Sequence, residues 1–183
     1  RLRFDFLHFE QVKPEQLREI EHLVNDKVLD NAPVFYAEVP YSEIKGRPDV
    51  LQFFGDKYGD RVRVVQIGGE PAKLNGYSME LCGGTHVGTA GEIGLVKIVA
   101  EMAIAAGTRR IEAVAGQPAF DYVQDEEDAL KAVNAKLNAG PQDVAKKLDA
   151  LIAQKAELEK QLKVYQQKAS AGLADDLAAK AVE

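Results

Sequence analysis

The sequence predicts an α+β domain with a mainly antiparallel sheet, followed by a C-terminal helical hairpin or coiled coil. Short segments that alternate apolar and polar residues recur through the first 116 residues, with two or three amphipathic helices among them. Hairpin-length connections between these segments favour antiparallel pairing. After Gly116, glycines and strand formers give way to Ala, Lys, Leu, Gln, Asp and Glu, which is typical of long exposed helices. We therefore divide the chain into residues 1–116 and residues 117–183.

The α+β part is predicted to begin with a strand and a helix. In LRFDF, residues 2–6, apolar residues alternate with charged ones, as in a half-buried strand. From Pro14 to Leu29 apolar residues recur at spacings of three and four after a Lys-Pro start, which predicts an amphipathic helix. We expect a strand at Val34–Val39 next, and then a short helix within residues 42–59 that ends at Gly55 or Gly59.

Further strands are predicted around a glycine-rich loop. Residues 61–67 (RVRVVQI) alternate as a strand does. Residues 77–81 (YSMEL) are predicted to form another strand, which leads into CGGTH, residues 82–86. The apolar stretch Ile93–Ile98 comes after this loop. Residues 107–116 (GTRRIEAVAG) alternate again, which predicts a strand that ends at Gly116.

Two helices are predicted for residues 117–183. The first covers Ala119–Asn138 and stops at Ala-Gly-Pro, where Gly140 suits a helix cap and Pro141 suits the first turn of the next helix. The second carries an apolar stripe that steps by four and three residues, interrupted at Lys155. The stripe consists of Val144, Leu148, Leu151, Leu158, Leu162 and Tyr165. About three heptads of this kind predict a coiled coil.

We expect this coiled coil to be an antiparallel hairpin joined at Gly140. Association between chains through the stripe is the alternative, while an amphipathic helix that lies on the first domain is disfavoured because the stripe is narrow and has charged flanks. The tail ends without a cap, as expected of a C-terminus truncated within an element.

The composition excludes a membrane protein, and the sequence shows no signal for secretion. Hydrophobic residues make up 46% and charged residues 28% of the 183, and no apolar run approaches the roughly 20 residues that cross a bilayer. No signal peptide is visible, and a single cysteine fits the reducing cytoplasm. At a net charge of -6, a nucleic-acid partner requires a local basic patch. Candidates for that patch are Lys45, Arg47, Arg61, Arg63, Lys73 and Lys97.

The only cysteine, Cys82, stands four residues before His86. Thiolate and imidazole are both zinc ligands, and Gly83 and Gly84 argue against a helix, so a tight loop must bring the two donors together. On spacing alone, a buried thiol and a hydrogen-bonded histidine are the better interpretation. The remaining histidines do not supply the paired donors of a complete tetrahedral site, so any metal site in this chain is half complete.

Longer segments resemble a known family. LRFDF, QFFGDKYGDRVRVV and YSMELCGGTHVGTAGEIGLVKIVAEMAIAAGTRRIEAVAG, followed by heptads that contain KAELEKQLK, closely resemble the editing domain and following helical segment of bacterial alanyl-tRNA synthetases. Threonyl-tRNA synthetases and free-standing alanyl-tRNA editing proteins share the editing fold. The long coiled coil and the Cys-Gly-Gly-Thr-His motif favour the alanyl enzymes.

The resemblance implies a zinc site in which Cys82 and His86 join a His-x-x-x-His pair on a helix upstream of LRFDF. It implies hydrolysis of seryl or glycyl esters on tRNA(Ala), whose acceptor end is the partner, within an ATP-dependent alanine-tRNA ligase. Because the sequence begins at Arg1, we expect the N-terminal zinc-binding helix to be missing. A fragment of this kind is expected to hold zinc poorly or not at all and to be nearly inactive.

The resemblance also implies roles for residues beside the two ligands. Thr85 is a candidate for orienting substrate or water, although a hydrogen bond within the turn explains it equally well. Arg109 is expected to contact the tRNA end, while its neighbour Arg110 points to the opposite face and forms an ion pair. The candidates for tRNA binding are Gly83, Gly84, Lys97 and Arg109; for the two glycines, loop geometry alone is the alternative.

Two other functions remain open from the sequence. One is a non-catalytic module that binds tRNA or another partner and uses the coiled coil as an interaction arm. The other is a free-standing deacylase, which is disfavoured by the long coiled coil and the absent His pair. Two measurements discriminate among these functions: the metal content of the chain and its hydrolysis of tRNA(Ala) mischarged with serine.

Overall fold

A computed structural model describes residues 1–53 and 58–180 of the chain. The chain divides into two compact units, residues 1–123 and residues 124–183. The elements are β1 Leu2–Leu7, α1 Pro14–Leu29, β2 Val34–Pro40, α2 Tyr41–Ile44, β3 Arg61–Ile67, β4 Ser78–Leu81, a 3-10 helix Ala90–Ile93, β5 Val96–Ala105, β6 Thr108–Ala115, α3 Gln117–Leu137 and α4 Val144–Lys180. The predicted α+β class with antiparallel sheets is confirmed.

One antiparallel sheet has the strand order β1-β6-β5. Helix α1 packs against it, with Val28 of the helix in one buried cluster with Val96 and Ala113 of the strands. The amide of Asn25 fixes the contact, since Nδ2 donates to the Val96 carbonyl oxygen at 2.8 Å and Oδ1 accepts from the Val96 N–H at 2.9 Å. The periodicity of residues 14–29 is therefore that of a helix with one face on a sheet.

The second antiparallel sheet has the order β2-β3-β4 and carries the larger core. Side chains alternate across a strand, so Val62 and Val64 of β3 point to one face together with Met79 and Leu81 of β4. Ile44 of α2 completes this core and is fully buried. The opposite face of the same sheet carries Arg61, Arg63 and Glu80 beside the buried Val65, and the candidate site lies on that face.

Several boundaries differ from the sequence-based expectation. The helix predicted within residues 42–59 is a single turn, α2, and Gly59 is not in a helix; the alternative end, Gly55, lies outside the described residues. The stretch Ile93–Ile98 contains the end of the 3-10 helix and the start of β5, which continues to Ala105. A register irregularity between Ile98 and Ala100 breaks the alternation that would have indicated the strand.

Helices α3 and α4 occupy most of residues 117–180. The first ends at Leu137. The next residue, Asn138, has a φ of 47°, in the left-handed region that asparagine tolerates, so Asn138 and not Gly140 takes the cap conformation. The N–H of Ala139 bonds back to the Asn134 carbonyl oxygen at 2.9 Å. Along α4 the leucine stripe is exposed, from 43% at Leu148 to 70% at Tyr165. The hairpin and the coiled coil therefore stay predictions.

No helix in the described parts of the chain combines the length and the apolar character that a membrane crossing requires.

Candidate metal centre

The geometry of β4 sets the direction of the candidate ligands. Met79 and Leu81 are buried in the core, so Glu80 points to the opposite face of the sheet. Cys82 follows directly after the strand ends. If the alternation continues to it, its side chain lies on the same face of the sheet as that of Glu80. Its N–H still bonds to β3, at 3.2 Å from the Arg63 carbonyl oxygen. The thiol is thereby held at the edge of a rigid sheet, although it belongs to a glycine-rich loop.

The CGGTH loop, residues 82–86, folds back as the sequence predicts. Nε2 of His86 lies 3.2 Å from Sγ of Cys82. The Gly84 N–H points at the same sulfur, at 3.4 Å. Glu80 adds a carboxylate: its oxygen, the sulfur and an imidazole nitrogen all lie within 4.8 Å of one another. Two donor residues were predicted to converge, and the structure brings three together.

This donor set fits zinc. Thiolate, imidazole and carboxylate are its usual ligands, with bonds of about 2.0 to 2.3 Å. Two such ligands at the corners of a tetrahedron lie about 3.5 Å apart, close to the separation of Sγ and Nε2. His8 and His22 lie outside this group. Glu80 and Cys82 are half-buried while His86 is exposed, so the site opens to solvent.

Glu80 is the residue that the sequence analysis missed. A signal was available, since the strand predicted at residues 77–81 alternates sides at every residue and Glu80 is two positions from Cys82.

A groove of about 310 Å³ lies beside the candidate ligands. Arg61 and Arg63 of β3 line one part of it, and Cys82 and Gly83 line another. Two residues predicted for a basic patch are thus adjacent to the metal donors. The groove has room for a small anionic or polar group next to the thiol.

Arg109 was expected to face the site, and the structure gives it another partner. Its guanidinium makes a two-point ion pair with the carboxylate of Glu101, with Nη2 at 2.8 Å from Oε2, and the side chains are only 12% and 2% exposed. The hydrogen bonds from Arg109 lower the pKa of the Glu101 carboxyl. This pair joins β5 and β6, not the sheet that carries Cys82. Arg109 pairs with Ala103, and Glu101 is two residues from Ala103, on the same face of the hairpin.

The remaining predicted residues take varied positions. Arg110 forms an ion pair with Asp5 of β1, with Nη2 at 2.8 Å from Oδ2, as expected for the opposite face. Lys97 also forms an ion pair, at 2.9 Å from Glu21 of α1. Thr85 and Gly83 are exposed in the loop itself. The structure thus brings Gly83, Gly84 and Thr85 close to the metal donors.

Comparison with known proteins identifies the class of domain. Residues 62–112, which include the CGGTH loop and the strands on both sides of it, match the family described as the threonyl and alanyl tRNA synthetase second additional domain. The chain therefore carries an accessory domain of aminoacyl-tRNA synthetases.

Individual relatives narrow the family further. The chain is 64% identical over 99% of its length to the alanine–tRNA ligase of Opitutus terrae, and 43% identical over its full length to that of Saccharophagus degradans. It is 46% identical over 92% of its length to that of Lysinibacillus sphaericus. The chain belongs to the alanine–tRNA ligase family. It spans 18 to 20% of the length of these relatives.

Proposed function

We propose that this chain forms part of the editing region of an alanine–tRNA ligase and serves there in the hydrolysis of seryl or glycyl esters on tRNA(Ala). The observation that carries the proposal is the convergence of Glu80, Cys82 and His86 on one point next to an open groove. The family match over residues 62–112 contains all three residues. The ligase activity itself, which consumes ATP, and a cytoplasmic location are part of the same proposal.

Zinc is the metal that we propose for this site. Cys82, His86 and Glu80 would hold it, with further coordination positions left for other groups. A zinc ion supplies a fixed positive charge that polarises or positions an ester carbonyl. The exposure of His86 keeps the site accessible to a large substrate such as the end of a tRNA.

Within the CGGTH loop, Gly83 leaves space for the tRNA terminus. A Cβ at Gly83 would meet no atom within 4 Å, so the packing of the chain does not require a glycine. We propose that the approach of the terminal adenosine requires it instead. Thr85, between the glycines and His86, orients the substrate or a water molecule through its hydroxyl. A site that hydrogen-bonds the serine hydroxyl can discriminate strongly against alanine, which lacks it.

The basic residues contribute unequally to the proposed contact with tRNA. Arg61 and Arg63 line the groove at the thiol and are the nearest positive charges in it. Lys97 and Arg109 must exchange Glu21 and Glu101 for a phosphate before they contact tRNA, so we assign them a weaker, salt-dependent contribution. The exposed stripe of α4 serves as a coiled-coil arm for self-association.

A chimera tests the editing function. This chain replaces the matching segment of the full-length Opitutus terrae ligase, which is 64% identical to it. Deacylation of Ser-tRNA(Ala) and charging with alanine are then measured in the chimera and in its Cys82→Ser and His86→Ala variants. We expect loss of one ligand to slow deacylation by about tenfold or more and to leave charging unchanged.

The matched control is His22→Ala, which removes the histidine on α1 that lies outside the donor group. This variant should deacylate as the parent chimera does. Equal deacylation by the parent chimera and both ligand variants would contradict the proposed editing function.

A further inference from the structure

We propose that Arg63 is a positioning residue that holds the CGGTH loop in the shape that brings its donors together. This inference rests on the proposed function in one respect, namely that the CGGTH loop binds a metal ion. Arg63 lies on β3, outside the loop, and its side chain is half-buried. Nothing in the residue pattern of the loop itself indicates this contact.

Arg63 binds the loop at two points. Its main-chain carbonyl oxygen accepts the Cys82 N–H at 3.2 Å. Its guanidinium Nη1 donates to the Gly84 carbonyl oxygen at 2.6 Å. One residue thus fixes both ends of the turn Cys82–Gly84, and the second bond is charge-assisted, which makes it stronger than a bond between neutral groups.

Tyr36 of β2 holds the guanidinium in place. Cζ of Arg63 lies 4.5 Å from the centroid of the Tyr36 ring, within the range of a cation–π contact. A planar guanidinium can stack on a ring and donate in its own plane at the same time, whereas a lysine ammonium offers only a point charge. The arrangement therefore needs arginine, and not only a positive charge, at position 63.

The loop needs such an external support because of its composition. Gly83 and Gly84 have the largest backbone freedom of any residues, and a Cβ on either would be at 3.4 Å or more from its neighbours. Local packing therefore does little to select one loop conformation. We infer that the bond from Arg63 to the Gly84 carbonyl selects the conformation in which Cys82 Sγ and His86 Nε2 are 3.2 Å apart.

Arg61 provides a matched control. It is two residues earlier on β3, on the same face of the sheet, and it lines the same groove. Its guanidinium Nη2, however, donates to the Glu38 carbonyl oxygen of β2 at 2.9 Å and not to the loop. A general effect of positive charge on this groove would appear in variants of both arginines, while a positioning effect would appear only at Arg63.

The experiment compares the whole chain with its Arg63→Met, Arg63→Lys and Arg61→Met variants. Methionine keeps the apolar part of the side chain and removes the donors. The first readout is metal-free: the backbone 15N heteronuclear NOE of Gly83, Gly84 and Thr85 reports loop order. The second is the affinity for Co²⁺, followed by the thiolate-to-cobalt absorption that only a Cys82 ligand produces.

We expect Arg63→Met to lower the NOE values in the loop and to weaken Co²⁺ binding by about 10- to 100-fold. Arg63→Lys should restore neither property fully, and Arg61→Met should leave both as in the parent chain. Unchanged NOE values in Arg63→Met would overturn the proposal, as would full rescue by lysine. If the parent chain gives no cobalt absorption, the metal part of the proposed function fails, while the NOE comparison still decides the role of Arg63.

Discussion

The carboxylate of Glu101 accepts both hydrogen bonds of the Arg109 guanidinium, joining the two strands of the β5–β6 hairpin in an almost fully buried ion pair. The pair stabilises the sheet against which α1 packs. The arginine that the resemblance assigns to tRNA contact thus has an intramolecular partner in the folded chain.

This pair predicts a specific dependence of stability on pH. Arg109 lowers the pKa of Glu101 below its ordinary value of 4.5. The folded state thus favours the carboxylate, and the stabilisation is complete above the unfolded-state pKa and is lost as the pH falls through the folded-state pKa. We expect Glu101→Gln to unfold at lower urea than the parent chain at neutral pH, with a difference that shrinks as the pH falls below 4.5. A difference that stays constant over this range would contradict the assignment.

Gln66 predicts a second effect on stability. It is 1% exposed, and Nε2 donates to the Glu70 carbonyl oxygen while Oε1 accepts the N–H groups of Asn75 and Gly76. Gln66→Leu removes three hydrogen bonds that join this buried side chain to the main chain of residues 70–76, so we expect a loss of about 2 kcal/mol or more in the free energy of unfolding. The exposed Gln11→Leu should change it by less than about 0.5 kcal/mol. Urea unfolding of both variants is the measurement, and equal losses would contradict the interpretation.

Gly83 predicts a separation of stability from binding. Because a Cβ at this position meets no atom within 4 Å, Gly83→Ala should change the free energy of unfolding by less than about 0.5 kcal/mol. If the tRNA terminus approaches the backbone here, the same substitution in the chimeric ligase should slow deacylation of Ser-tRNA(Ala). Urea unfolding and deacylation rates measure the two effects. Unchanged deacylation would show that loop geometry alone accounts for the glycine.

The stripe on α4 predicts self-association. Leu151, Leu158 and Leu162 are each more than half exposed, and their spacing is that of a coiled-coil seam. We expect a concentration-dependent dimer in sedimentation equilibrium that Leu158→Glu dissociates. Lys160→Glu, which changes a residue outside the stripe, serves as the control and should dimerise. A monomer at all concentrations would contradict self-association through the stripe and would favour the hairpin within one chain.

Some parts of the fold were accessible from the sequence because a simple period decides them. The alternation in residues 61–67 predicts β3 and its buried face. The spacing in residues 14–29 predicts α1, and both ends of the helix agree with the structure. The convergence of Cys82 and His86 followed from residue types and two glycines. These are local properties, and local periodicity was enough to find them.

Other parts depend on contacts between distant residues. The partner of Arg109 is set by the pairing of β5 with β6, and the first of these strands is hidden by its alanines and by the irregularity at Ile98. The hydrogen bond from Arg63 to the Gly84 carbonyl oxygen forms only because β3 pairs with β4 and so lies beside the start of the loop. Glu80 is intermediate between the two cases, since alternation predicts its direction but only the folded loop brings His86 to it.

A Co²⁺ titration of the chain with and without each donor tests directly whether Glu80, Cys82 and His86 bind one metal ion together. We expect one ion to bind weakly to each chain, with a thiolate-to-cobalt absorption band that Cys82→Ser abolishes and that a chelator removes. Binding should be weaker still in Glu80→Gln and His86→Ala. Cobalt binding that is the same in the parent chain and in all three variants, or no absorption from the thiolate, would contradict this expectation.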